Sequence, residues 1–424
     1  MTLRVGNLPS ADNEEQRAAF EAAIDEFEEL YPNITIEAEE TAYDAQTFNA
    51  QLAAGTLPTV LAVPATEMQR LIALDQVRDL SEFYADSDEL QSINPQVLAT
   101  VQDDDGAYFG VPKGSFSLAL IINRSVFEEA GLDPDTVDLS TWDAVAAAAE
   151  QITQNTDAIG YGQLTTTNQG GWVLSALSAG FGSEIQETDA EGVTTANVDS
   201  AGTEAALEWL HDLRWESDAM GSEVLLDFSD LGPLFASGQY GMLVGASEWY
   251  TPLTANYGMP SDDFGIYPLP QSADGLGTLG GGTIDIVPAT ASDAEAAAAV
   301  KWSTFRNVEK YFDLDLAASN AESLSADGSP VPSVGLPLVD DETYSAYLAA
   351  IEPYINVNLD HIEPYTSTAD ELAIVPEPPV EAQQTYGVLD AVLQEVLSNE
   401  DADIGALLAT AQTDVQGIID GAQD

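Results

Sequence analysis

The first 65 residues switch repeatedly between the periodicity of a strand and that of a helix, and this alternation most narrows what the chain can become. "LRVGN" at residues 3–7 reads as a short strand. After a polar turn, Phe20, Ile24, Phe27 and Tyr31 recur at the spacing of one helix face. Pro32 stops that helix, and "NITIEAE" alternates apolar and polar residues as a half-buried strand does. A helical piece over Phe48 to Ala54 ends at Gly55, and "LPTVLAVPA" supplies a third strand that is apolar almost throughout. Such β-α-β alternation with continuously apolar strands predicts an α/β fold, its parallel sheet covered by helices on both faces.

The pattern continues along the chain. Residues 106–122, "GAYFGVPKGSFSLALII", read as two strands joined by a turn, with Asp105-Gly106 turning just ahead of them. Ser140 or Thr141 caps a helix that starts at Trp142 and runs to Ile152. Further helices are expected at 203–215, 292–306, 383–398 and 403–420, with strands "AIGYGQL", "YGMLVG", "FGIYPLP" and "GTIDIVP" among them. Residues 320–340 and 352–380, rich in Pro, Ser and acids, are expected to be long ordered connections. Single cores stop growing at roughly 250–300 residues. A chain of 424 residues therefore predicts two lobes.

Ten Lys and Arg stand against 73 Asp and Glu, a formal net charge of −63. Binding to nucleic acid or anionic lipid depends on basic side chains neutralising phosphate, so neither partner is expected. The acids are dispersed, and 45% hydrophobic content is too high for a disordered acidic tail. They read as a solvated surface suited to salty or harsh extracellular surroundings. Cysteine is absent, which removes disulfides, thiolate catalysis and cysteine metal sites. The longest aliphatic run, Leu118 to Ile122, falls far short of the roughly 20 apolar residues that span a bilayer. No signal-like segment precedes Leu3, so the expectation is either a cytosolic chain or one whose signal segment lay upstream.

Reactive constellations are sparse. "GLGTLGGGTIDI" at 275–286 loosely matches a dinucleotide-binding glycine pattern through Gly275, Gly277 and Gly280, but it runs into a strand where that motif requires a helix. His211 and His361 are the only histidines and have no partner at ligand spacing. "NEDADIG" at 399–405 departs from a calcium loop, with its glycine one position late and no terminal Glu. No metal or cofactor is expected. No Gly-x-Ser-x-Gly or other nucleophile and base pair is visible, while a glycosidase, which needs only two carboxylates, stays open.

Aromatics are the stronger lead. Trp172 follows "TTTNQGG", and Trp249 follows the strand in "YGMLVGASEWY", just after Glu248. Large aromatics at the carboxyl ends of α/β strands stand where ligands bind. A pyranose presents C–H groups to an aromatic face while acids, amides and lysines bond its hydroxyls. Trp209, Trp215 and Trp302 fall in helices and are expected in the core, and Trp142 at a helix start. Lys113, one of three lysines, lies in "VPKGSF" and is either a salt-bridge partner or a ligand donor.

"YFGVPKGSFSLALIINRSVFEEAGLD" followed by "STWDAVAAAAEQI" resembles the Tyr-Gly-Val-Pro, Tyr-Asn-Lys-x-x-Phe and Thr-Trp-Asp-Glu signature of the family 1 extracellular solute-binding proteins of ABC importers, the group that includes maltose-binding protein. Ile122-Asn123-Arg124 stands where the family has Tyr-Asn-Lys. "LAAGTLPTVLAV" is similar to the family's Ala-Ala-Gly-x-x-Pro-Asp-Val element without its aspartate. "LFASGQYGMLVGASEW" resembles the strand leading to a binding-cleft Trp, and "GGGTIDIVPATASDAEAAAAVKWSTF" the strand and helix that recross between lobes.

The resemblance implies two lobes, each a mainly parallel sheet flanked by helices, joined by a hinge. Lobe 1 would comprise 1–111 and 285–330, and lobe 2 would comprise 112–284 and 331–424, with crossovers near 111–113, 280–284 and 328–334. It implies cleft residues Asn7, Tyr43, Thr66, Glu67, Lys113, Phe116, Trp172, Glu248 and Trp249, with Gly281, Gly282 and Thr283 on the returning crossover. The implied function is a monomeric extracellular or periplasmic receptor, anchored as a lipoprotein through an upstream segment, that captures a mono- or oligosaccharide for an ABC permease without catalysis. The alternatives are a polyamine or other cationic solute and, in another class, an extracellular glycosidase. A carboxylate pair facing each other beneath the aromatics would favour a cation, and an aromatic platform ringed by mixed polar groups a sugar.

Overall fold

A computed structural model describes all residues except 45, 104, 190, 191 and 424, and omits the side chains of 15 and 423. Its strands are β1 (Thr2–Val5), β2 (Thr35–Ala38), β3 (Leu61–Pro64), β4 (Gly110–Asn123), β5 (Ile159–Gly162), β6 (Gln186–Thr188), β7 (Thr194–Ala196), β8 (Tyr240–Ala246), β9 (Phe264–Tyr267), β10 (Thr278–Ile286) and β11 (Ile374–Pro376). Contacts divide the chain into two compact units. The first holds Met1–Ser115, Gly281–Ala326 and Pro337–Tyr354; the second holds Phe116–Gly280, Asp327–Leu336 and Ile355–Asp424. Residues 337–354, grouped with the second lobe by the sequence, pack in the first unit, where Ile93 bridges Val339 and the Asp340 N–H donates to the Ser92 carbonyl.

In the first unit β1 and β2 pair in parallel, Leu3 opposite Ile36, and a parallel bridge from Val5 to Val60 brings β3 alongside. β3 in turn runs antiparallel to Thr283–Ile286 of β10. The helix Glu14–Leu30 buries Phe20 and Phe27 as its spacing requires, and the Phe27 ring meets Trp302 edge-on at 5.2 Å. The helix Phe48–Ala54 ends where Gly55 takes a left-handed φ of 64°, a conformation open to a residue without Cβ.

In the second unit β8 is central, parallel to β5 on one side and antiparallel to Leu118–Ile122 of β4 on the other. β9 continues antiparallel to β4, and Thr278–Gly280 of β10 pairs in parallel with β11. The sheets are thus mixed where the sequence led us to expect mainly parallel ones. Alternating apolarity reports burial, whereas direction depends on which neighbour a strand meets. The second-unit core gathers Leu118 to Ile122, Leu174, Leu177, Leu389 and Leu393, and Thr141 caps the helix Trp142–Asn155 by accepting the Ala144 N–H at 3.2 Å.

Two local expectations fail. Residues 110–123 form one 14-residue strand, with no turn at "VPKGSF". A Cβ on Gly282 would lie 2.1 Å from the Gly114 carbonyl oxygen, so β10 runs against this segment and holds it extended despite its turn-like Pro-Lys-Gly. The expected connection 320–340 begins inside the helix Leu314–Ala326, and 352–380 contains the short helix Glu363–Thr366 and β11. Helices Gln169–Phe181, Phe228–Ala236 and Asp341–Ile351 also form without having been anticipated. Among the described residues no helix is long and apolar enough to cross a membrane.

Candidate functional site

Parallel pairing of β5 with β8, Ile159 opposite Tyr240 and Gly162 opposite Leu243, makes both strands end at the same edge of the sheet. The chain leaving β5 enters the helix Gln169–Phe181, whose first turn carries Trp172. The chain leaving β8 makes one turn of 3₁₀ helix, Ser247–Trp249, which carries Glu248 and Trp249. The two indoles meet with centroids 6.2 Å apart and planes at 48°. Phe116 on β4 lies 6.2 Å from Trp172, and Phe228, at the start of its helix, stacks on Trp249 at 3.9 Å. All four rings are partly exposed, so they form one continuous aromatic surface.

Trp249 lies against its own strand because Gly245 has no side chain. A Cβ there would come 2.2 Å from the indole Cζ3. With Gly245 on one side and Phe228 stacked on the ring, the indole is fixed while part of it stays open to solvent.

Polar groups surround these rings. The Ser247 hydroxyl donates to Glu248 Oε2 at 3.2 Å. The Tyr365 hydroxyl lies 2.7 Å from Ser117 Oγ, and burial pushes it up to about 12. Crowding by protein raises the Glu248 carboxyl above its ordinary range, although its side chain still meets solvent. Glu377 accepts the Tyr386 hydroxyl at 3.0 Å; burial outweighs this bond and raises its carboxyl. Asp390 accepts the backbone N–H groups of Asn168 and Gly171, each at 2.7 Å, at the positive end of the Gln169–Phe181 helix. Its burial still raises it.

Phe228, Tyr365, Glu377 and Asp390 were not foreseen. Asp390 had a readable signal, since it falls in the apolar stripe of Tyr386, Leu389 and Leu393. Glu377 had none, because "VPEPPV" reads only as connection.

In the first unit β1, β2 and β3 also end at a common edge. Asn7 follows β1 with φ at 62°, and its Oδ1 accepts the Ala62 N–H at 2.9 Å, so it ties β1 to β3. Tyr43 donates to Glu67 Oε1 at 2.6 Å, and Glu67 Oε2 pairs with Arg70 at 2.6 Å. Burial, then Glu67, pushes the Tyr43 hydroxyl far up. Thr66 and Glu67 share the 3₁₀ turn Ala65–Glu67 just after β3. Lys113 is exposed on β4, with no ion pair or hydrogen bond among the described residues. Gly281, Gly282 and Thr283 lie within β10; Gly282 has the packing role described above, and exposed Thr283 pairs with Pro64.

The structure therefore brings Phe116, Trp172, Glu248 and Trp249 together in the second unit and sets Asn7, Tyr43, Thr66 and Glu67 along one edge in the first. Aromatic faces beside an acceptor-only carboxylate suit a ring with apolar C–H faces and donating hydroxyls. His211 bonds the Glu400 carbonyl at 2.9 Å and His361 bonds Asn358 at 2.9 Å. Among the described residues no group of three or more His, Asp or Glu is arranged to hold a metal ion.

Residues 22–308 match the family model of bacterial extracellular solute-binding proteins. An uncharacterized ABC transporter extracellular-binding protein of Pyrococcus horikoshii is 26% identical over 147 residues, 33% of this chain and 32% of that relative, so the match spans about a third of its length. Among solved structures, the cyclic α-maltosyl-1,6-maltose binding protein of Arthrobacter globiformis is similar with a TM-score of 0.69 and 22% identity over 99% of both chains. The sugar-binding protein MalE of Xanthomonas citri has a TM-score of 0.73 at 16% identity, covering 100% of this chain and 98% of that one. UgpB of Mycobacterium tuberculosis, solved with glycerophosphocholine, has a TM-score of 0.61 at 17% identity over 99% of both. At these identities the likeness is one of fold, that of two-lobed periplasmic binding proteins.

Proposed function

Given that the chain belongs to the bacterial extracellular solute-binding protein family, we propose that it is a carbohydrate receptor that binds a mono- or oligosaccharide and hands it unchanged to an ABC permease. The observation that carries this reading is the aromatic surface of Phe116, Trp172, Trp249 and Phe228 with Glu248 beside it. A sugar ring stacks on such a surface, and its hydroxyls donate to Glu248. Tyr43, Thr66, Glu67 and the Lys113 ammonium, which has no ion pair or hydrogen bond among the described residues, are the polar contacts proposed from the first unit, with Asn7 and Gly281, Gly282 and Thr283 as framework. The sugar-binding descriptions of the Arthrobacter and Xanthomonas proteins of the same fold support the reading. The receptor is proposed to act as a monomer, anchored to the membrane by a lipid.

One observation favours a cationic solute instead. Two carboxyls with raised affinity for protons, Glu248 and Glu377, lie in the second unit with the indoles. Glu377, however, already accepts from Tyr386, which leaves Glu248 as the carboxylate open to a ligand, and a single acceptor beside aromatics suits hydroxyls better than a polyamine. A thermal-shift screen separates the two, since a ligand selective for the folded state raises the melting temperature. Linear maltooligosaccharides are expected to raise it and spermidine is not; a spermidine response with silent sugars would overturn the reading. Trp249→Ala is expected to weaken sugar binding by about 1–3 kcal/mol, measured by calorimetry.

A further inference from the structure

The turn that carries Trp172 is held by a distant part of the chain. Thr167 and Asn168, two consecutive residues with a Cβ, both stand in the left-handed region, at φ 58° and 66°. Such backbone persists only where its surroundings over-determine it. Asn168 precedes the helix Gln169–Phe181 yet makes no side-chain cap to it; its Nδ2 donates instead to Gln383 Oε1 at 3.2 Å. The cap comes from Asp390, 6% exposed on the helix Ala382–Ser398. Its Oδ2 accepts the Asn168 N–H and its Oδ1 the Gly171 N–H, each at 2.7 Å. Those are lengths of charge-assisted bonds, and a carboxylate can give each donor an oxygen of its own. From the same helix Gln394 donates to the Thr165 carbonyl at 2.7 Å, so Gln383, Asp390 and Gln394, which recur at the spacing of one helix face, all grip this connection. A Cβ on Gly171 would lie 2.3 Å from the Tyr386 carbonyl oxygen, so the turn also packs directly on the helix backbone. The turn in its own right holds the aromatic surface at two points. It bears Trp172, and Gln169 Oε1 accepts the N–H of Phe228 at 2.7 Å, the residue whose ring stacks on Trp249.

We propose that Asp390 is a positioning residue for the ligand surface: it fixes the turn 168–171 through two backbone N–H groups, and that turn sets Trp172 and, through Gln169, Phe228 against Trp249. One bond would leave the turn a pivot. Two oxygens on two donors fix its rotation as well as its place. Without the carboxylate, Thr167 and Asn168 are free to relax toward ordinary backbone, and the first helical turn rotates with its indole. Trp172 then loses the tilt to Phe116 and Trp249 that makes the three rings one surface. Asp390 is buried and need not touch the ligand to do this. The effect on binding rests on the carbohydrate reading, whereas the effect on the turn and its indole does not.

Two variants grade the loss: Asp390→Asn keeps one acceptor oxygen and Asp390→Ala keeps none. The first measurement is a proton–nitrogen correlation spectrum of the unliganded protein, followed at the Asn168 and Gly171 amides and at the Trp172 indole N–H, the last assigned by its loss in Trp172→Phe. All three resonances are expected to move in Asp390→Ala, and the indole to move less in Asp390→Asn. The second is affinity for maltotetraose, measured well below each melting temperature and expected to fall about tenfold in Asp390→Ala and about threefold in Asp390→Asn. Trp209→Ala is the control for lost stability, since Trp209 packs beside Phe181 at the other end of the same helix; its affinity is expected to stay unchanged. An indole resonance that stays in place in Asp390→Ala overturns the proposal, as does a loss of affinity no larger than that of Trp209→Ala. Where Asp390→Ala does not fold, Asp390→Asn decides, and an unmoved indole with unchanged affinity in that variant overturns it. If the wild-type protein binds neither maltotetraose nor any other saccharide, the carbohydrate reading falls, and the three resonances still decide the role of Asp390.

Discussion

Two pairs of tryptophans in the second unit have opposite fates. Trp142 and Trp209 pack with centroids 5.0 Å apart and are 3% and 9% exposed, closed in by Phe181 at 4.9 Å and Tyr161 at 5.2 Å. Trp172 and Trp249 are 6.2 Å apart, and both stay open to solvent. The first pair lies within helices that cover the sheet, and the second follows the carboxyl ends of two parallel strands. A tryptophan becomes a binding surface because of where its backbone leaves the sheet and what fixes its ring; its chemistry is the same in both places.

Four changes test that contrast. Trp209→Ala empties a closed site and is expected to cost about 3–5 kcal/mol of stability by denaturant titration, with sugar affinity of the folded fraction unchanged; an equal loss of affinity would erase the distinction. Gly245→Ala places a Cβ 2.2 Å from the Trp249 ring and forces the indole to move. It should cost about 1–3 kcal/mol of stability and sharply reduce sugar binding, whereas unchanged binding would detach Trp249 from the site. Phe228→Ala, which uncovers one face of Trp249, is expected to weaken binding by about 0.5–1.5 kcal/mol, read by calorimetry.

The smallest effect is on pH dependence. Burial raises the Glu377 carboxyl above the ordinary value of 4.5, so the folded state favours its protonated form. Its contribution to stability is full below 4.5 and is lost as pH rises through the higher folded-state value. The melting temperature of Glu377→Gln should therefore fall less than that of wild type between acid and neutral pH. Parallel curves would mean that Glu377 titrates as it does in the unfolded chain.

Much of the fold was legible in local pattern. The helix Phe48–Ala54 ends at Gly55, the helix Trp142–Asn155 starts after Thr141, and the helix expected over 292–306 forms at Asp293–Asn307, because caps and periodicity act within a few residues. Phe20 and Phe27 are buried, as their spacing predicts. The candidate aromatics Trp172 and Trp249 were also visible, since each stands beside a polar, glycine-rich turn, whereas Phe116 was indicated only by the family resemblance. Phe228 escaped notice because only the fold brings it onto Trp249. The unbroken strand at 110–123 was hidden because its turn-like residues are overruled by β10 alongside.

The sequence by itself determined the alternation of strand and helix in the first 65 residues, the ends of several helices, the dispersed acidic composition and the motifs that mark the family, all of which depend on near neighbours or on composition. Tertiary structure alone decided the mixed strand directions, the place of residues 337–354 in the first unit and the stacking of Phe228 on Trp249. Each of those rests on contact between segments far apart in the chain, and no local periodicity records which distant partner a strand or a side chain will meet.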